Sequence, residues 1–95
     1  MAILSDTEVK AALADLPGWE LAGGDIVKEY KFADFVAAIA FVNRVADRAE
    51  AANHHPDIDI RWNKVRMALS THRQGGLTRN DFALASEIEG LVGGT

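Results

Sequence analysis

The chain has 95 residues and no cysteine, and its 14 acidic side chains outnumber 10 basic ones to give a net charge of −4. That length makes one domain, residues 1–95, with a single modest core. The acidic balance argues against nucleic acid or an anionic membrane as partner, the missing thiols exclude disulfides and thiolate metal sites, and no apolar run is long enough to span a bilayer.

The start, Met1 to Asp6, lacks the basic residues and long apolar core of a signal peptide, so the expected location is cytoplasmic. Ser5 and Glu8 stand at the spacing of a capping box. Val9, Ala12, Leu13 and Leu16 follow at helical spacing until Pro17-Gly18 stops the helix. Trp19 and Leu21 then begin a period-two pattern. Gly23-Gly24 is a hairpin signal, since glycine reaches positive φ without strain. Ile26, Lys28, Tyr30 and Phe32 alternate with Val27, Glu29 and Lys31 on the returning strand. Lys28 interrupts the apolar face, which an edge or partly open position tolerates.

Asp34 reads as the cap of a long helix over residues 35–52. Phe35, Ile39, Val42, Val45, Ala46 and Ala49 make its core stripe, and Ala38 and Phe41 widen it enough for a second apolar contact such as another subunit. Pro56 pushes His55 into extended geometry and ends any helix before it. Asp57, Asp59 and Arg61 alternate with Ile58, Ile60 and Trp62 as a strand. Asn63-Lys64 reads as a two-residue loop with Asn63 at positive φ, and Val65, Met67, Leu69 and Thr71 alternate with Arg66, Ala68 and Ser70 on the way back. Pairing centred on that loop sets His72 opposite His55. After a turn at Gly75-Gly76, Thr78-Arg79-Asn80-Asp81 resembles a capping signal. Leu84, Ala85, Ile88 and Leu91 form the last apolar stripe, and Gly93-Gly94 closes the helix. The order implies an α+β fold: a four-stranded antiparallel sheet of two hairpins, with three helices packed on one face.

The only three histidines, His54, His55 and His72, lie close together in this scheme. Imidazole is the side chain whose ordinary titration range lies nearest neutrality, so it both donates and accepts protons there. Singly, each would be an ordinary loop or surface residue. Gathered by the hairpin, with a carboxylate at Glu50, they make a candidate acid–base site. If helical geometry persists through Asn53, Glu50 stands one turn from His54 and fixes its tautomer. Three imidazoles and a carboxylate are also zinc donors, but the zincin helix motif is absent.

Glu50-x3-His54-His55-Pro56, Trp62-Asn63-Lys64-Val65, Leu69-Ser70-Thr71-His72, Gly76-Leu77-Thr78 and Asp81 together resemble the pterin-4a-carbinolamine dehydratases. Pro17-Gly18-Trp19 and Phe32-x-Asp34-Phe35 extend the resemblance over nearly the whole chain. The family often has an aromatic and an acidic residue between the positions of Pro56 and Trp62, where Ile58 and Asp59 stand here. The resemblance implies dehydration of a 4a-hydroxytetrahydropterin to the quinonoid dihydropterin, in tetrahydrobiopterin recycling, with no metal or cofactor. It implies His54 and His72 as acids toward the 4a-hydroxyl, His55 as a pterin-binding group that helps move the N5 proton, and Glu50 as the residue orienting His54. Pro56, Ser70 and Thr71 would border the pterin. Trp19 is either a pocket wall or a core tryptophan, and Asp81 is a helix cap, with catalysis as its alternative. A homodimer or homotetramer is implied. The alternative function is a non-catalytic dimerisation module of transcriptional coactivator type, with a protein partner.

Overall fold

The computed structural model describes residues 2–93. Its elements run α1 (Asp6–Ala14), β1 (Glu20–Ala22), β2 (Asp25–Lys31), α2 (Phe35–Ala52), β3 (Asp57–Arg61), β4 (Lys64–Leu69) and α3 (Arg79–Gly93). The strands form one antiparallel sheet in the order β1-β2-β4-β3. This is the α+β architecture expected. The capping box at Ser5 and Glu8 and the Asp34 cap on Ala37 N–H both form. Gly94 of the expected closing pair lies outside the described residues.

One face of the sheet carries Ile26, Tyr30, Val65, Met67 and Leu69 into a single core with Val9 of α1, Phe41 and Val45 of α2, and Leu84, Ala85 and Ile88 of α3. The rings of Tyr30 and Phe41 sit 5.1 Å apart and those of Phe32 and Phe41 4.9 Å apart, so Phe41 is the aromatic centre of the α2 contact. The α2 stripe is rotated from the one expected. Ala38, Phe41, Val45 and Ala49 are buried, whereas Phe35 is exposed and Ile39 and Val42 are half-buried. Small residues at 38 and 49 let α2 sit close against its neighbours, α3 above all, on either side of Phe41. The larger side chains at 35, 39 and 42 form a second, flanking apolar strip.

The second hairpin turns one residue earlier than expected. Arg61 pairs with Lys64 and Asp57 with Ala68, so the loop is Trp62-Asn63. Trp62 takes the positive φ of 52°. Asn63 is buried because its side-chain amide donates to Phe32 O at 2.9 Å, while Phe32 N donates to Asn63 O at 2.8 Å. That clamp to β2 displaces the turn. Continued past the strands, the observed count sets Ser70, not His72, opposite His55. The partner moves by two residues, so every side chain keeps its face.

Lys28 is the other departure. Its strand is interior, between β1 and β4, and the lysine is tolerated because its amine is bonded. Nζ donates to Pro17 O at 2.9 Å and to Glu89 Oε1 of α3 at 2.6 Å. Gly18, at φ +88°, passes directly beneath this chain, and a Cβ there would lie 2.8 Å from Lys28 Cε. The same Glu89 oxygen accepts the Trp19 indole N–H at 3.0 Å and the Tyr30 hydroxyl. Burial, and then the bond and charge of Glu89, push the Tyr30 phenol far up, so it remains a donor. Burial alone would push the Glu89 carboxyl up. The bonds from Lys28 and Tyr30, the Lys28 charge and the indole outweigh it, and hold Glu89 below 4.5.

A lowered carboxyl contributes stability that is complete above its unfolded value and lost as pH falls through the folded one. Glu89→Gln is expected to cost about 1–3 kcal/mol near neutrality, because three donors lose a charged acceptor. Below pH 4.5 the melting temperature of wild type should fall more steeply than that of the variant. Parallel acid profiles in thermal melts would show that Glu89 does not carry this linkage.

Candidate active site

The expected site residues lie where α2 ends, where β4 ends and where α3 begins. α2 stops in a Schellman pattern: Asn53 takes the left-handed conformation (φ 50°, ψ 43°), with its N–H on Glu50 O and the His54 N–H on Ala49 O. Asparagine tolerates that conformation better than most residues. The reversal swings the next residues out of helical register, which corrects the expected Glu50–His54 pair. Glu50 Oε2 instead meets His55 Nε2 at 2.5 Å.

His54 finds a different carboxylate. Its Nε2 lies 2.5 Å from Asp81 Oδ1. The two pairs differ in kind. His55 and Glu50 are 58% and 77% exposed, so water competes for the contact. His54 is 13% exposed and Asp81 0%, so that ring is held in a fixed orientation. The second Asp81 oxygen accepts from Thr78 N at 2.9 Å, which is the expected cap of α3, and from Thr71 Oγ1 at 2.8 Å. A hydroxyl has one proton to give. Thr71 gives its proton to Asp81, so Thr78 donates to Thr71 across their 2.8 Å contact. Thr78 Oγ1 in turn accepts from Asn80 N. Both Asp81 oxygens and both threonine hydroxyls are thus engaged.

Thr71 opens the turn that carries His72. It bridges Gly76, and its carbonyl accepts from Gln74 N at 2.9 Å and Gly75 N at 3.0 Å, with Gly75 at φ +77°. The His72 ring lies 3.5 Å from Ser70 Oγ, a loose contact that leaves it free to meet a ligand.

His54, His55 and His72 line one cleft of about 440 Å³, with Asn53, Ser70, Thr71, Arg73, Gln74 and Asn80. That volume is in the range of small-molecule sites. Of the other expected residues, Glu50 and Asp81 stand behind the imidazoles, and Pro56 follows His55 into β3 without lining the cleft. Trp19 is a core residue bonded to Glu89 and does not line it. Among the described residues no group of three or more His, Asp or Glu side chains is disposed to hold a metal ion. Sequence reasoning passed over Arg73, Gln74 and Asn80, whose only signal was their place beside His72 and Asp81.

With Nε2–H of His54 directed at a carboxylate, Nδ1 is the nitrogen left to exchange a proton. The cleft thus offers three proton carriers around one volume, two backed by carboxylates.

A family model described as pterin 4 alpha carbinolamine dehydratase matches residues 2–91. A Mycobacterium tuberculosis relative, provisionally assigned as a pterin-4-alpha-carbinolamine dehydratase, is 55% identical over 93 residues, covering 98% of this chain and 99% of its own. A Chloroflexus aurantiacus relative with the same provisional assignment is 56% identical over 90 residues, covering 95% and 97%. A Brucella melitensis crystal structure, described as a transcriptional coactivator/pterin dehydratase, superposes with a TM-score of 0.91 at 32% identity, covering 95% of this chain and 98% of that one. A pterin dehydratase-like RuBisCO assembly factor of the alpha-carboxysome has a TM-score of 0.68 at 22% identity, covering 80% and 90%, and shares the fold alone.

Removal of the buried carboxylate is expected to be costly in a way that removal of the exposed one is not. Asp81→Ala should destabilise the domain by about 2–4 kcal/mol, through the lost cap and two stranded donors. Glu50→Ala should change stability by less than about 0.5 kcal/mol. Urea denaturation of the two variants measures both, and equal losses would contradict the assignment of Asp81 as the structural member.

Proposed function

This chain belongs to the pterin-4a-carbinolamine dehydratase family, and from that premise we propose that it dehydrates a 4a-hydroxytetrahydropterin to the quinonoid dihydropterin by histidine acid–base catalysis. The reading is supported above all by the convergence of all three imidazoles on one cleft, two of them backed by carboxylates.

The chemistry needs one proton delivered and one removed. Hydroxide is a poor leaving group, so the C4a oxygen must be protonated as its bond to carbon breaks. The N5 lone pair then forms the C4a–N5 double bond, and N5 gives up its proton. Water and the quinonoid dihydropterin are the products, with no net oxidation, so the reaction calls for no redox cofactor. His54 and His72 are the proton donors to the hydroxyl. His55 binds the pterin and helps carry the N5 proton. Asp81 orients His54 and offsets the charge on its ring when it holds a second proton, as Glu50 does more loosely for His55. Ser70 and Thr71 border the pterin. The natural setting of the reaction is recycling, in the cytoplasm, of a tetrahydropterin consumed by an aromatic amino acid hydroxylase, tetrahydrobiopterin or a relative that differs from it at the ring substituent. No helix among the described residues is long and apolar enough to cross a membrane.

The protein is further proposed to act as a homodimer or homotetramer. Phe35 and Val36 on α2, Ile58 and Ile60 on the β3 edge and Trp62 in the turn after it are exposed apolar side chains that a second subunit would cover. The same surface favours a second reading, a coactivator-type module that binds a protein partner without catalysis.

The deciding assay follows quinonoid dihydropterin formation from fresh carbinolamine. Wild type should exceed the spontaneous rate. His54→Ala and His72→Ala should each lose about 10²–10⁴-fold in rate with an unchanged circular dichroism spectrum. A wild-type rate equal to the spontaneous one would leave the binding module as the better reading.

A further inference from the structure

The lining of the histidine cleft is one-sided in charge. Its residues are imidazoles, hydroxyls, carboxamides and one guanidinium, that of Arg73, and none is a carboxylate. This stands out in a chain of net charge −4. Of the carboxylates around it, Asp81 is engaged by His54 and Glu50 by His55, and Asp25 lines a separate, smaller cleft on the other side of Ser70 and His72. The Arg73 side chain has no ion pair or hydrogen bond among the described residues. An exposed arginine is usually just solvated. Here, however, it lines the cleft itself, between His72 and the Gln74 amide.

Its backbone is also fixed. The turn from Thr71 to Gly76 is closed by the Thr71–Gly76 bridge and by the bonds of Gln74 N and Gly75 N to Thr71 O. Thr71 is bolted to the buried Asp81. The guanidinium therefore projects from a set position one residue after a proposed proton donor. Guanidinium is the side chain best matched to the paired oxygens of a carboxylate or phosphate, and neighbouring carboxamides at Gln74 and Asn80 add neutral donors.

On the footing that this cleft is a pterin site, we propose that it selects a pterin whose ring substituent carries an anion, carboxylate or phosphate, and that Arg73 receives that group. The bicycle occupies the space among the imidazoles, and the charged substituent reaches the rim at Arg73, Gln74 and Asn80.

Fluorescence titration with 6-hydroxymethylpterin, pterin-6-carboxylate and 6-hydroxymethylpterin phosphate separates the possibilities. At low ionic strength wild type should bind the anionic ligands about 3–10-fold more tightly than the neutral one, as expected of a charge-assisted contact that is partly solvated. The tighter of the two anions identifies the group selected. The preference should shrink as salt is raised. In Arg73→Gln the ratio of anionic to neutral affinity should fall to near one, and Arg73→Lys should restore part of it. Equal affinities in wild type, or a preference that survives Arg73→Gln, would overturn the proposal while leaving the pterin site standing. Failure of all three pterins to bind would overturn the site reading itself, and the proposal with it.

Discussion

One buried carboxylate holds the candidate site together. Asp81 has no exposure to water and spends both oxygens on three segments of chain: His54 after α2, Thr71 after β4 and the first turn of α3. An acceptor in that position is costly to desolvate unless it is hydrogen-bonded, and here one donor on Oδ1 and two on Oδ2 engage both oxygens. The consequence is geometric. The ring of His54 and the turn bearing His72 and Arg73 are referred to the same atom group, so their separation is set by short polar contacts instead of by loop length.

α3 is tied at its far end by a second carboxylate. Glu89 collects the amine of Lys28, the hydroxyl of Tyr30 and the indole of Trp19, and draws the helix onto β2. The apolar stripe of Leu84, Ala85 and Ile88 lies between these two polar ties. The residues that would do chemistry sit outside regular elements, on segments 53–56 and 70–76. Such segments are precise only when their surroundings hold them. Asp81 supplies that for the His54 side, while His55 and Glu50, both solvent-exposed, retain freedom.

Much of this was legible in the residue pattern. Alternation in β2, β3 and β4, the caps at Ser5 and Asp34 and the glycine turns all act locally, so sequence carries them directly. The gathering of the histidines was legible too, because a two-residue error in register leaves each side chain on its own face. What was hidden depends on contacts between distant segments. The turn at Trp62-Asn63 is displaced by a clamp to Phe32. Lys28 has the local pattern of an edge residue, and what makes its interior place tolerable is Glu89, sixty-one positions away. The spacing in α2 puts Phe35 and Ala46 on the core stripe and Ala38 and Phe41 at its margin, yet the first two are exposed and the last two fully buried, because the neighbouring elements set how the helix is turned. Asp81 reads locally as a helix cap. A cap consumes one oxygen, however, and nothing local shows what the other one meets.

The most direct test of the Asp81-centred site is heteronuclear NMR of the histidine ring nitrogens in wild type and Asp81→Asn. With the ring neutral, His54 should carry its proton on Nε2, facing the carboxylate, and leave Nδ1 bare; Asp81→Asn should abolish that fixed pattern. A proton found on Nδ1 of His54 in wild type, or a pattern indifferent to Asp81→Asn, would contradict it.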